Sequence, residues 1–123
     1  MTDFITTDDG VRIAYEAFAG TGTPVLLVHG FGSSRVQNYE TTGWYRVLGE
    51  AGMAFAALDC RGHGDSDKPH DPKFYGTERL ADDAALVTDA LGWPRVLLAG
   101  YSMGAFVGLK MVERHGARVA SVV

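Results

Sequence analysis

Apolar residues along this chain occur in two kinds of spacing. Three continuous aliphatic runs, at 25–28, 53–58 and 96–99, have the length of strands that are covered on both faces. Between these runs, apolar positions recur every three or four residues, as in amphipathic helices, over 44–51 and 80–91. A helix over 104–115 and the start of a strand over 119–123 continue the alternation. Strands that alternate with helices in this way predict a parallel sheet in an α/β fold.

The N-terminal segment has a different pattern. Residues 4–7 and 11–18 are short extended candidates on either side of Asp-Asp-Gly, which is a hairpin turn signal. We interpret residues 20–24 as a break before the first aliphatic strand and Thr77 as the N-cap of the second helix. The expected architecture is one domain over 1–123, with a mostly parallel sheet and an N-terminal antiparallel hairpin.

Composition and charge exclude several classes of function. The 123 residues are 46% hydrophobic and 21% charged, which is typical of globular domains. The net charge is −4, and no run of Lys or Arg occurs, so we expect neither a nucleic-acid nor a membrane partner. A single cysteine, Cys60, and an N-terminus without an apolar signal core predict a reducing, cytoplasmic location.

Metal and cofactor chemistry also lack support in the sequence. The four histidines and Cys60 do not have the spacings of zinc ligands. The glycine loops lack the third glycine of a dinucleotide-binding fingerprint, and no phosphate-binding Gly-x-x-x-x-Gly-Lys motif occurs. We therefore expect no metal and no cofactor, and we reject nucleotide binding.

The residues Gly100-Tyr-Ser-Met-Gly104 stand where the third aliphatic strand gives way to a helix. This Gly-x-Ser-x-Gly pattern suits a serine on a sharp turn, because Gly100 and Gly104 let the strand and the helix approach closely. Ser102 is therefore a candidate nucleophile. The alternative is that Ser102 caps the helix and that the two glycines only permit packing.

A second glycine loop, His-Gly-Phe-Gly at 29–32, leaves the first aliphatic strand at the edge where parallel sheets place their ligands. Gly30 and Gly32 leave the backbone free to turn its amides toward a developing negative charge. The amides of Phe31 and Met103 are thus candidates for an oxyanion hole, whereas an ordinary strand-to-helix loop is the alternative.

A third loop, Asp-Cys-Arg-Gly-His-Gly-Asp-Ser at 59–66, follows the second aliphatic strand. Such a dense mixture of charge and glycine indicates a loop that is held by its own hydrogen bonds. We interpret Asp59, Arg61 and His63 as structural residues of this loop.

Together the three segments resemble the α/β-hydrolase family. HGFG is similar to its oxyanion loop, DCRGHGDS to its Asp-x-Arg-Gly-x-Gly-x-Ser loop and GYSMG to its nucleophile elbow, in the family's order and at about its spacing. The resemblance spans essentially the whole chain. It implies that Ser102 attacks an ester, thioester or amide-like carbonyl of a small molecule and forms an acyl-enzyme. Members that open epoxides carry aspartate at the elbow, so Ser102 argues against that reaction.

The chain lacks the partners that this resemblance requires. In the family the acid and the histidine follow the serine. Here the only acid that follows Ser102 is Glu113, and the only histidine is His115. Both belong to the helix that begins beside Ser102, and they lie too far along that helix to reach the serine hydroxyl. The earlier histidines, at 29, 63 and 70, do not have the expected chain position. We therefore expect the N-terminal portion of a serine hydrolase, weakly active or inactive by itself.

The last residues, 117–123, stop inside an apolar strand pattern. This predicts an open sheet edge prone to self-association, and one sheet face covered by the 44–51 helix alone. A natural short product, a pseudoenzyme and a fragment are equally compatible with the sequence, which does not specify a substrate. The alternative function is a non-catalytic scaffold or binding protein that completes its sheet with a partner chain.

Overall fold

A six-stranded sheet forms the centre of the computed structural model, which describes residues 1–123. The sheet order is β1-β2-β4-β3-β5-β6, in which β1 and β2 run antiparallel to their neighbours and the other strands are parallel. The fold is therefore the expected α/β sheet with an N-terminal antiparallel hairpin. The strands are β1 (Asp3–Thr6), β2 (Arg12–Phe18), β3 (Thr21–Val28), β4 (Met53–Leu58), β5 (Val96–Gly100) and β6 (Val119–Val122).

Three α-helices connect the parallel strands. They are α1 (Trp44–Glu50), α2 (Thr77–Ala90) and α3 (Met103–His115). A π-helical segment (Val36–Glu40) precedes α1, and short 3₁₀ turns occupy Pro72–Phe74 and Gly116–Arg118. No helix combines the length and the apolar composition that are needed to cross a bilayer.

The central strand β3 sets the position of the three glycine loops. Val28, its last residue, pairs with Leu58 at the end of β4 and with Gly100 at the end of β5. Because the three strands are parallel and in register, the loops that follow them emerge side by side at one edge.

Each face of the sheet packs against its own hydrophobic core. A cluster of 17 buried residues joins one face to α2 and α3 through side chains such as Leu26, Leu98 and Met111. A smaller cluster of 7 buried residues joins the other face to α1 and the π-helical segment, through Leu48 and Tyr39. This face has the smaller core, as expected, but the expectation that the 44–51 helix alone covers it was wrong, because Tyr39 of the π-helical segment is buried there as well.

Two local predictions were wrong. Thr21–Pro24 belongs to β3 and is not a break: the Thr21 amide donates to the carbonyl of Gly52, and a register shift between Thr21 and Val25 absorbs the glycine and the proline. Thr77 is the first residue of α2 and does not cap it. The N-cap is Gly76, whose φ of 141° is a conformation that favours glycine.

The helix α1 forms where its apolar spacing predicts it, but it buries less than that spacing indicates. Trp44 and Val47 are 44% and 53% exposed, and Leu48 is the one buried residue of the helix. Trp44 instead packs edge-on against Tyr39, with the ring centroids 5.6 Å apart. The π-helical segment therefore takes over part of the packing that we assigned to α1.

The strand β6 pairs with β5 alone, so its outer edge has no backbone partner. Beside it, the outward face of α3 exposes Phe106, Leu109 and Val112. Self-association through this edge stays a prediction.

Two helical glycines provide a matched test of backbone packing. A Cβ atom on Gly104 would lie 2.0 Å from the carbonyl oxygen of Val28, whereas one on Gly49 would have no heavy atom within 4 Å. We expect Gly104→Ala to lower the free energy of unfolding by about 3 kcal/mol, because α3 must move away from β3. Gly49→Ala should raise it by about 0.5–1 kcal/mol through helix propensity. Urea denaturation measures both, and equal effects would contradict the close approach of α3 to β3.

Candidate active site

Ser102 occupies a sharp turn between β5 and α3. With φ 54° and ψ −112°, it is the one non-glycine residue of the chain with positive φ. Ser102 occupies the N-cap position of α3, but its side chain makes no capping hydrogen bond. The turn is held by backbone bonds from the Tyr101 amide to the Val28 carbonyl (3.2 Å) and from the Gly104 amide to the Tyr101 carbonyl (2.9 Å). Such strained backbone persists only where its surroundings enforce it.

The glycines that flank Ser102 leave no room for side chains. A Cβ atom on Gly100 would lie 2.3 Å from the carbonyl oxygen of Gly104, and one on Gly104 would collide with Val28. The strand, the turn and the helix are therefore in backbone contact. This contact leaves the serine exposed at the edge of the sheet.

The 29–32 loop lies directly against this turn. A Cβ atom on Gly30 would be 2.9 Å from the Tyr101 ring, and Gly32 has a φ of 75° that favours glycine. Phe31 and Met103 line one cleft of about 720 Å³, and neither backbone amide donates a hydrogen bond. The structure thus brings the two candidate oxyanion donors to the same cleft with unpaired N–H groups.

The 59–66 loop is built around a buried carboxylate. Asp59 accepts hydrogen bonds from the amides of Arg35 (2.8 Å) and Asp65 (2.9 Å) and forms an ion pair with the Arg35 guanidinium. A Cβ atom on Gly64 would lie 2.3 Å from this carboxyl group. The loop therefore closes over Asp59 and leaves it no open face.

Arg61 links the same loop to two distant segments. Its guanidinium donates to both carboxylate oxygens of Asp83 (2.7 and 2.8 Å), to Asp9 (2.7 Å) and to the carbonyl of Phe74 (2.7 Å). The hydrogen bond from Arg61 holds the pKa of Asp9 well below its usual value. Burial raises the pKa of Asp83 in spite of the bonds that Arg61 donates. Arg61 is only 1% exposed, so its guanidinium is occupied by these partners, although the residue also lines the cleft.

Two histidines lie close to the turn, and both are fully engaged. The Nδ1 atoms of His29 and His63 lie 2.8 and 3.1 Å from backbone carbonyls, which only accept. Their Nε2 atoms lie 3.0 Å from the amides of Cys60 and Gly32, which only donate. Both rings are therefore neutral Nδ1–H tautomers without a free nitrogen. Burial also lowers the pKa of His29.

The remaining histidines do not approach Ser102 either. His115, at the far end of α3, is 2.7 Å from Asp82, and His70 is exposed in a connecting loop. No imidazole makes a hydrogen bond to the Ser102 hydroxyl in this chain. Cys60 is not a substitute nucleophile, because burial raises the pKa of its thiol to about 12.

Sequence reasoning missed two residues that shape this edge. Arg35 is buried and binds Asp59 and Glu16, and Asn38 accepts a hydrogen bond from the Gly30 amide at 2.8 Å. Both lie in the polar stretch between β3 and α1, which has no hydrophobic period. No sequence signal marked them.

The geometry is matched by a family model. Residues 23–123 fit the model described as the alpha/beta hydrolase fold. The chain belongs to the α/β-hydrolase family. The chain is 31% identical to the AB hydrolase superfamily protein YisY of Bacillus subtilis, over 100% of this chain and 44% of that protein. It is 35% identical to mouse epoxide hydrolase 4, over 81% of this chain and 27% of that protein.

Solved structures of α/β-hydrolases share the fold of this chain. A thermophilic esterase from Thermogutta terrifontis superimposes with a TM-score of 0.80 at 30% identity, covering 99% of this chain and 44% of that one. The chain therefore spans less than half the length of these α/β-hydrolase relatives. They include both an esterase and an epoxide hydrolase, so the family is one of hydrolases.

The Arg61–Asp9 pair predicts an acid-dependent loss of stability. Because the pKa of Asp9 is lowered in the folded protein, the unfolded chain binds a proton that the folded chain does not. The stabilisation is present above about pH 4 and is lost as the pH falls. Asp9→Asn should lower the melting temperature at pH 7 and flatten its decline below about pH 4. The exposed neighbour Asp8 is the control: Asp8→Asn should keep the wild-type decline, and identical curves for both variants would contradict the assignment.

Proposed function

We propose that this chain carries the nucleophile and the oxyanion donors of a serine hydrolase that acts on an ester, thioester or amide-like carbonyl. The observation that carries the proposal is the strained Ser102 at the β5–α3 turn, whose side chain makes no capping bond, together with the amides of the following Met103 and of Phe31 in the neighbouring loop, which donate no hydrogen bond. A backbone conformation of this kind is costly, and such residues cluster at functional sites.

The proposed reaction has two steps. As the Ser102 Oγ attacks the carbonyl carbon, its proton passes to a base, and the carbonyl oxygen takes the negative charge and accepts hydrogen bonds from the amides of Phe31 and Met103. Collapse of this intermediate expels the leaving group, which takes up that proton from the base, and leaves an acyl ester on Ser102. Water then adds to the ester carbonyl and releases the acid, which restores the hydroxyl.

Epoxide opening is disfavoured by the chemistry of the nucleophile. Attack of a serine hydroxyl on an epoxide carbon forms an ether, which has no carbonyl for water to attack. A carboxylate nucleophile forms an ester instead, which water can hydrolyse. The residue at position 102 therefore favours a carbonyl substrate, although one relative is an epoxide hydrolase.

The reaction also needs a base, and none of the four histidines of this chain offers a free nitrogen beside Ser102. The curated relative YisY is more than twice as long as this chain. We place the histidine and its acid in the part of the relatives' length that this chain does not span. The unpaired, buried thiol of Cys60 fits the cytoplasmic location that we also propose.

A fluorophosphonate probe tests the nucleophile directly. Phosphonylation should occur at Ser102, as located by peptide mass spectrometry, and should be lost in Ser102→Ala. Ser121→Ala, at an exposed serine on the regular strand β6, should leave the rate unchanged. Modification spread evenly over several serines, together with a stable dimer in light scattering, would instead favour a non-catalytic scaffold.

The pH dependence of the same reaction tests whether a base is present. Without an imidazole at Ser102, the labelling rate of this chain should rise about tenfold per pH unit from pH 6 to 9, because hydroxide must remove the proton. A rate that levels off near pH 7 would contradict this expectation and reveal a histidine acting on Ser102.

A further inference from the structure

We propose that Asn38 and His63 are positioning residues that hold the amides on either side of Phe31 and thereby keep the Phe31 N–H free for substrate. We call this arrangement the loop clamp: Asn38, His63 and the amides of Gly30 and Gly32. The inference rests on the proposed function, in which Phe31 donates to the oxyanion.

Three consecutive amides of the 29–32 loop have different partners. The Gly30 N–H donates to Asn38 Oδ1 at 2.8 Å, and the Gly32 N–H donates to His63 Nε2 at 3.0 Å. The Phe31 N–H between them donates to nothing. The two acceptors belong to different segments of the chain, so the amides of Gly30 and Gly32 are each bonded to a separate part of the structure. The Phe31 amide between them has no acceptor.

The clamp acts beside two hydrogen bonds to the Gly30–Phe31 peptide itself, whose carbonyl accepts from His29 Nδ1–H at 2.8 Å and from the Ser33 amide at 3.2 Å. The side chain of Phe31 is 82% exposed, so packing against the core does not hold it. Glycine on both sides gives the backbone the widest freedom of rotation. Neither of these bonds to the Gly30 carbonyl holds the Gly32 amide or the Gly30 amide. The side-chain acceptors therefore hold the peptides before and after the one that carries the Phe31 N–H, and so limit its rotation.

His63 is itself held in the orientation that this role requires. Its Nδ1–H donates to the Arg61 carbonyl at 3.1 Å, which leaves Nε2 as the acceptor. Its ring packs edge-on against the Phe31 ring, with the centroids 5.6 Å apart. The 59–66 loop, which supplies no reacting group, thus supports the loop that carries a proposed oxyanion donor.

Asn38 is anchored in a similar way from the other side. It lies in the π-helical segment, where its own amide donates to the Ser34 carbonyl at 3.0 Å. The neighbouring Tyr39 hydroxyl donates to the Val28 carbonyl at 2.7 Å, at the end of β3. The π-helical segment is therefore fixed to the strand from which the 29–32 loop departs.

Two His63 variants separate positioning from general stability. His63→Gln places an amide oxygen near the position of Nε2 and keeps the acceptor, whereas His63→Leu removes it at similar size. His70→Leu is the matched control, because His70 is exposed and makes no hydrogen bond. Amide hydrogen exchange measured by NMR then reports the hydrogen bond from the Gly32 amide to residue 63. Exchange at Gly32 should accelerate by about tenfold or more in His63→Leu and stay near wild type in the other two variants.

Phosphonylation of Ser102 by the fluorophosphonate probe is the second readout. His63→Leu should slow it by about ten- to a hundredfold, since the Phe31 donor is misplaced, and His63→Gln should restore it to within about threefold. Unchanged Gly32 exchange and unchanged labelling in His63→Leu would overturn the proposal. Slow labelling that His63→Gln fails to restore, with Gly32 protected in that variant, would also overturn it.

Two further measurements keep the outcomes distinct. If His63→Leu also loses protection at Leu27 in the centre of the sheet, it is unfolded, and Asn38→Leu replaces it, with Gly30 exchange as the readout and Gln37→Leu as control. If wild-type Ser102 is never labelled while Gly32 exchange still responds to His63→Leu, the proposed function fails and the clamp is supported.

Discussion

The contact between the first turn of α3 and the end of β3 is the constraint on which the rest of this edge depends. The backbone of Gly104 lies so close to the Val28 carbonyl that not even a methyl group fits between them. This approach forces the chain from β5 to reverse within two residues, which places Ser102 at positive φ and leaves it exposed. It also sets Tyr101 against Gly30, so the positions of the turn and of the neighbouring loop are coupled.

Buried charge gives the surrounding loops their rigidity. Asp59 and Arg61 lie two residues apart, yet they do not pair with each other. Asp59 forms an ion pair with Arg35, whereas Arg61 forms ion pairs with Asp83 and Asp9. No buried side-chain nitrogen or oxygen in the structure lacks a hydrogen-bond partner. A fully satisfied network of this kind is costly to break in part, because removing one partner leaves an uncompensated charge.

The sequence predicted those features that depend on local pattern. Consecutive aliphatic residues marked β3, β4 and β5, and the glycines at 100 and 104 marked the turn, because each signal lies within a few residues. Arg35 and Asn38 could not be found in this way, since their partners are chosen by the tertiary fold: Arg35 binds a carboxylate 24 residues away. Thr77 was misassigned because capping depends on backbone dihedral angles, which residue type alone does not determine.

The linkage made by Arg61 has a consequence for the order of folding. Its partners lie 52, 22 and 13 residues away in the chain, in the hairpin turn, in α2 and in the 3₁₀ turn before it. Contacts of such long range form only after the loop-closure entropy of the intervening segments has been overcome. The final geometry of the 59–66 loop therefore requires that the hairpin has joined β4 and that α2 has docked. His63 lies in that loop, so its bond to the Gly32 amide also depends on the docking of these two distant segments.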